Sequence, residues 1–111
     1  MKSTFQMEEK AIAPGTDDLD LIFSKFPDNS LVCLQRVVVC DLTTATKTAS
    51  VGLVLGNDVI WLESLTLTTA ARYYALTQPV WFTGVRKVIV RFHSPTASDK
   101  LTAYAYGYYM E

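Results

Sequence analysis

What the chain lacks narrows it first. It has one histidine, two cysteines and no excess of either charge: ten Lys and Arg against eleven Asp and Glu leave a formal net charge of −1. A field that weak favours neither nucleic acid nor an anionic membrane surface. Arg86, Lys87 and Arg91 are the densest basic group, and on a strand Arg86 faces away from the other two. No apolar run approaches the roughly 20 residues that a membrane helix needs. The opening MKSTFQMEEK lacks the apolar core of a signal peptide. The expectation is a protein made and used without Sec export, with no nucleic-acid or membrane partner.

The usual marks of chemistry are also missing. There is no Gly-rich phosphate loop. Cys33, Cys40 and His93 show no C-x-x-C or H-x-x-x-H spacing. His93 stands beside Ser94 and Asp99, so a hydrolase triad is imaginable, but the G-x-S-x-G elbow is absent. It reads as a solvated or locally bonded residue. Asp17, Asp18 and Asp20 lack the Asp-x-Asp-x-Asp-Gly loop with a distal Glu, and read as a solvated acidic turn. Glu63 is the one acid lying mid-strand between apolar residues, with no evident partner for glycoside chemistry. No catalytic residue, metal or cofactor is expected, and the chain is read as a non-enzyme.

The two cysteines lie seven residues apart, so on one strand they face opposite sides. At this rise they sit about 23 Å apart. Two free, buried thiols are expected, consistent with a reducing compartment; an intermolecular disulfide is the alternative.

What is present is a pattern of short strands. At 111 residues and 50% hydrophobic content the chain is one folded domain by size. Near its end, Val88, Val90 and Phe92 alternate with Lys87, Ile89, Arg91 and His93, the period of a half-buried strand. A polar turn, Ser94 to Asp99, follows. Then Leu101, Ala103, Ala105 and Gly107 share one face, and Tyr104, Tyr106 and Tyr108 the other. The stretch Val85–Tyr109 is expected to form a hairpin.

Upstream, Leu31–Leu42 is the longest apolar run and suggests a central strand, with Gln35 and Arg36 marking a bulge or bend. Asp41–Thr48 reads as a polar loop. Two strands flank a turn at Gly56-Asn57-Asp58, and Val59, Trp61, Glu63 and Leu65 are expected on one face of the second. Asp18–Phe26 fits either a helix or a strand, and the all-β surroundings favour strand. Thr68–Gln78 reads as a short helical turn or a connection between sheets. Val80-Trp81-Phe82 is a short aromatic strand closed by Gly84.

Turn signals thus recur about every 10–15 residues, the spacing of a β-sandwich or jelly roll. The expectation is an all-β, single antiparallel β-sandwich or jelly-roll-like domain over residues 17–111. An extended N-terminal arm over residues 1–16 precedes it, either a frayed tail or a segment that orders against a neighbouring subunit. Candidate protein-contact residues are Phe5, Met7 and Ile12 of the arm, the aromatic pair Trp81 and Phe82, and the stripe Tyr104, Tyr106 and Tyr108.

The strand-and-loop VVVCDLTTAT, the hairpin around Gly56, the following aromatic run, the Gly84-Val85 turn, the V-x-V-x-F strand, the T-A-S-D-K-L turn and the terminal A-Y-G-Y-Y carry a resemblance. In this pattern, Asp41–Tyr109 resembles the small β-sandwich accessory proteins of tailed-bacteriophage virions. The resemblance covers about two-thirds of the chain and leaves the segment before Asp41 outside it. It implies a self-assembling, often trimeric structural protein that decorates or cements the capsid, or sits on the tail or baseplate. The implied partners are further copies of itself and the major capsid protein or another virion protein, with assembly in the host bacterial cytoplasm. A receptor- or glycan-binding module associated with the tail, baseplate or fibre is the alternative. No catalytic residues carry over.

Overall fold

The computed structural model describes residues 2–23, 26–44, 47–67, 73–76 and 78–111, residues 73 and 74 by their backbone alone. Nine strands form among them: β1 (Lys2–Ile12), β2 (Leu19–Phe23), β3 (Leu31–Asp41), β4 (Lys47–Leu55), β5 (Asp58–Leu67), β6 (Tyr73–Ala75), β7 (Val80–Thr83), β8 (Lys87–His93) and β9 (Lys100–Met110). They make two antiparallel sheets packed face to face. Sheet A runs β1-β9-β3, with β6 and β7 sharing the far edge of β3; sheet B runs β2-β8-β4-β5.

Because β6 and β7 occupy successive stretches of one row, the order is that of an eight-strand jelly roll. The chain wraps as a doubled ribbon: β1 pairs with β9, β2 with β8, β3 with β6 and β7, and β4 with β5. The all-β sandwich read from turn spacing is the fold observed. The ambiguous segment at residues 18–26 contributes strand β2, with Leu19, Leu21 and Phe23 turned to the core.

Three local expectations change. The expected hairpin at Val85–Tyr109 does not form: β8 lies in sheet B and β9 in sheet A, so the turn at residues 94–99 crosses the sandwich. The physical reason lies in the two apolar faces. Val88, Val90 and Phe92 bury against Leu101, Ala103 and Ala105 when the strands face each other across the core, not when they lie side by side. The N-terminal arm is extended but not free. Its Phe5, Met7 and Ala11 alternate inward, and β1 pairs with β9 along all 11 residues. The shared face of Val59, Trp61, Glu63 and Leu65 is broken where the β4–β5 register shifts between Val51 and Gly52. Trp61 opposes Gly52 on the outside, while Glu63 opposes the buried Val51.

The bulge expected near Gln35 is present. The β3–β9 register shifts between Leu34 and Arg36, and the shift falls between the part of β3 that pairs with β7 and the part that pairs with β6. Gly107 opposes Leu34 at this irregularity. A Cβ there would collide with the Cys33 carbonyl and crowd the Phe5 ring, so only glycine fits. Cys33 and Cys40 form no disulfide and are buried, as expected. Of the segment Thr68–Gln78, residues 73–75 form β6; residues 68–72 and 77 lie outside the described residues.

Phe23, Leu34, Val51, Val90, Phe92 and Leu101 anchor the core between the sheets. Each such side chain, fully buried, contributes about 1.5–3 kcal/mol relative to exposure. One end of this core is plugged by aromatics around Phe26, with centroid distances of 4.8 Å to Phe5, 5.8 Å to Phe82 and 6.5 Å to Tyr109.

Candidate functional site

The outer face of sheet A is assembled row by row from the strand registers. Thr4, Tyr108, Cys33 and Trp81 lie opposite one another across β1, β9, β3 and β7; Gln6, Tyr106 and Arg36 form the next row, and Glu8, Tyr104 and Val38 the third. Alternation in β9 produces this. Its odd residues, among them the small Ala103, Ala105 and Gly107, meet the core, which leaves Tyr104, Tyr106 and Tyr108 on the outside. Cys33, Val38 and Cys40 also point outward yet are buried on this crowded face.

The rings on this face touch one another. Trp81 is 48% exposed. Its ring meets Tyr108 edge-on at 5.7 Å and 83°, and Tyr104 stacks on Tyr106 at 6.4 Å and 14°. Lys2 Nζ sits 4.0 Å over the Tyr108 ring, a cation–π contact. The Cys33 thiol beside the Tyr108 hydroxyl, and burial after it, hold that phenol above its ordinary pKa. Polar groups of Thr4, Gln6, Glu8 and Arg36 border the rings. The result is a broad aromatic platform with a polar margin, the composition of protein-contact surfaces.

The remaining expected contact residues divide. Phe82 is buried, and Phe5 and Met7 turn their side chains to the core side. Ile12 is 65% exposed at the end of β1, next to a groove of about 410 Å³ that it lines with Ala11, Leu42 and Leu101. The platform therefore unites Trp81, Tyr104, Tyr106 and Tyr108, and leaves Ile12 apart from them.

The outer face of sheet B carries a polar network that local sequence patterns do not reveal. Asp18 Oδ2 lies 3.5 Å from His93 Nδ1, and His93 Nε2 is 2.7 Å from Ser50 Oγ, which is 2.8 Å from Ser64 Oγ. The order acid–imidazole–hydroxyl is that of a hydrolase, but with Asp18 and Ser50 in place of Asp99 and Ser94. Two features oppose acyl transfer. Ser50 is only 5% exposed, and it sits mid-strand in β4 with neighbours paired on both sides. Its amide is committed to the ladder and is not free to bind an oxyanion. Asp18 accepts the Ser94 amide at 2.8 Å, and that bond, with His93, holds its carboxyl below the ordinary range. Beside this network Arg91 makes a two-pronged bond to Asp20 at 2.7 and 3.0 Å. Its guanidinium lies 5.0 Å from the Trp61 ring.

A second pair of acids is buried at one end of the sandwich. Asp41 and Asp99 are both fully inaccessible. Asp41 Oδ1 accepts the amides of Thr43 and Thr44, each at 3.0 Å. Asp99 accepts the Thr44 hydroxyl at 2.6 Å and the Thr96 amide at 3.0 Å. Asp41 Oδ2 finds no donor among the described residues and is left to the Asp99 carboxyl. One proton satisfies that contact. Burial and then the bond to Asp99 push the Asp41 carboxyl up. Burial also works to raise Asp99, but the Thr44 hydroxyl, the Asp41 carboxyl and the Thr96 amide outweigh it and hold Asp99 down.

Glu63, without an evident partner in the sequence, accepts the Leu76 amide at 3.2 Å. Arg36 donates to the Leu76 carbonyl at 2.7 Å. Leu76 has a positive φ of 66°, and these two side chains brace it between the sheets. Among the described residues, no group of three or more His, Cys, Asp or Glu is gathered to hold a metal ion.

No family model and no curated protein matches the chain. Among solved structures, the chain is similar to one described as the structure of the infectious bursal disease virus Gt strain, with 14% identity and a TM-score of 0.39. The match covers 98% of this chain and 32% of that one, so the chain spans about a third of its length.

Proposed function

We propose that this chain is a non-enzymatic structural protein of a virion: a capsid decoration or cement protein that acts as a homo-oligomer and binds the capsid through the outer face of sheet A. The observation that carries the reading is the platform of Trp81, Tyr104, Tyr106 and Tyr108, apolar at its centre and polar at its margin. Aromatic side chains supply large contact area at low entropic cost, and such anchors dominate protein interfaces. The jelly-roll wrap supports the reading by analogy alone, since that architecture hosts capsid and lectin domains among others. The bacteriophage setting, the trimeric state and assembly in a bacterial cytoplasm follow from the resemblance of Asp41–Tyr109. Two buried cysteines that form no disulfide suit a reducing compartment.

The test is co-sedimentation of purified chain with empty capsids of the phage that encodes it, with Trp81→Ala alongside. Capsid binding that Trp81→Ala weakens supports the proposal; no affinity of the wild-type chain for capsids sinks it. A tail-associated glycan-binding module is the second reading. The exposed Trp81–Tyr108 corner beside Lys2 favours it, since sugars stack on such rings. Binding on a glycan array that disappears in Trp81→Ala, without capsid affinity, would select this reading over the first.

A further inference from the structure

β1 is the outermost strand of sheet A. It pairs with β9 on one side along all 11 residues, with no register shift. Long, regular edge strands expose a row of free amides and carbonyls, and native proteins usually blunt them with proline, bulges or inward-pointing charge. β1 contains no proline. It has one inward-facing charge, Glu9, which opposes the buried Ala103. A groove of about 380 Å³ follows this edge, lined by residues 4–9 and by Phe23 of β2. An added strand would lie there.

We infer that two copies of this chain pair antiparallel along the free edge of β1, in a register centred on Phe5 that sets Lys2 of each copy opposite Glu8 of the other. The occupant follows from the strand's own sequence. Even residues of β1 face outward and odd ones inward, so a two-fold pairing that keeps the sheet faces continuous must join residues of like parity. Among such registers, centring on Gln6 sets Lys2 against Lys10. Centring on Glu8 or Glu9 sets each against its own copy. Centring on Met7 places Glu9 against Phe5. Centring on Phe5 gives two Lys2–Glu8 pairs and two Thr4–Gln6 pairs on the outer face, and leaves Glu9 beyond the paired segment. It also places the two half-buried Phe5 rings side by side next to Phe26, where each covers the other. Sheet A then continues through the two-fold axis, and the aromatic platforms of both copies share one side.

This inference rests on the self-association proposed above but sets a two-fold dimer in place of the trimer that the resemblance implies, and it uses a different surface from the aromatic platform, so the two fail separately. The experiment is sedimentation of the full chain over a concentration series, with circular dichroism to confirm that each variant is folded. A dimer is expected. Glu8→Lys, which turns both attractive pairs repulsive, should weaken the dimer by about tenfold or more, and Lys2→Glu with Glu8→Lys should restore it. Under oxidation, Thr4→Cys with Gln6→Cys should cross-link into a covalent dimer, whereas Gln6→Cys alone should not. A monomer at every concentration, an oligomer indifferent to Glu8→Lys, or cross-linking by Gln6→Cys alone overturns the inference. A monomer that still binds capsids through Trp81 would overturn the edge pairing and leave the aromatic platform standing; a dimer without capsid affinity would do the reverse.

Discussion

On the outer face of sheet A, the residues between the buried positions of β9 are Tyr104, Tyr106 and Tyr108; on that of sheet B, the outward residues of β8 include Lys87, Arg91 and His93. Both sets arise from the same period-2 alternation over one shared core. They differ in whether their polar groups close on themselves. On sheet B, Arg91 is held by Asp20, His93 lies between Asp18 and Ser50, and Ser50 reaches Ser64. Charges that are already paired and solvated gain little from a partner, and covering them would add a desolvation cost. On sheet A Trp81 meets Tyr108 edge-on, Tyr104 stacks on Tyr106, and Trp81 leaves about half of its surface to water. Apolar surface is exposed on both faces, Trp81 on sheet A and Trp61 and Ile22 on sheet B; what sets sheet A apart is that its rings are grouped with one another, whereas Trp61 lies under the Arg91 guanidinium that Asp20 already holds.

The largest effect expected from this contrast is on binding. Trp81→Ala should weaken capsid binding by about 2 kcal/mol or more, roughly thirtyfold, as loss of a central aromatic anchor does. Its effect on folding should stay near 1 kcal/mol or less, because half of the ring is already in water. Arg91→Ala should differ from it in binding alone. It should leave binding unchanged and lower stability by less than about 1 kcal/mol, since the Asp20 pair is partly exposed. Binding titrations and urea unfolding of the two variants check both halves. Equal losses of binding would erase the distinction between the faces.

The alternating strands of this molecule were legible because alternation is local. Val88 to Phe92 and the tyrosines of β9 occupy the faces that their spacing predicts, and the bulge at Gln35 and the turn at Gly56 sit where their residues indicate. What spacing does not carry is which strand lies beside which. β8 and β9 are adjacent in the chain, yet they enter different sheets. For the same reason the aromatic stripe was legible, but its meeting with Trp81 was not. That contact depends on β9 and β7 both pairing with β3. Ser50 and His93 are 43 positions apart, and Thr44 and Asp99 are 55. Such contacts become visible only once the strands are placed.

The second effect concerns pH and separates the two acidic regions. Asp18 on sheet B is held low, so the stability it contributes is present above the ordinary carboxylate range and lost as pH falls through its folded pKa. Asp41 is pushed up, so its contribution is full below the ordinary carboxylate pKa of about 4 and is lost as pH rises through its folded value. Asp41→Asn keeps a donor toward Asp99 and cannot ionise. It should match the wild type in acid and exceed it in stability as pH rises. Asp99→Ala removes the acceptor of the Thr44 hydroxyl and the Thr96 amide, and should cost about 1–3 kcal/mol. Urea unfolding between pH 4 and 8 checks the pair; a wild type that outlasts Asp41→Asn at neutral pH would contradict the shared proton.

The smallest expected effect is a null one, and it bears directly on the contrast between the faces. Asp18, His93 and Ser50 have the order of a hydrolase relay on a face argued to be inert. A serine nucleophile must be reachable and must have donors for the oxyanion it creates. Ser50 is nearly inaccessible, shares its hydroxyl with Ser64, and has its backbone engaged in β4. A fluorophosphonate probe should therefore leave the wild-type chain unlabelled by mass spectrometry, and Ser50→Ala should change only folding stability. Labelling of the wild type that vanishes in both Ser50→Ala and His93→Ala would show the polar network of sheet B to be reactive. The functional face of the sandwich would then have to be sought there and not on the tyrosines.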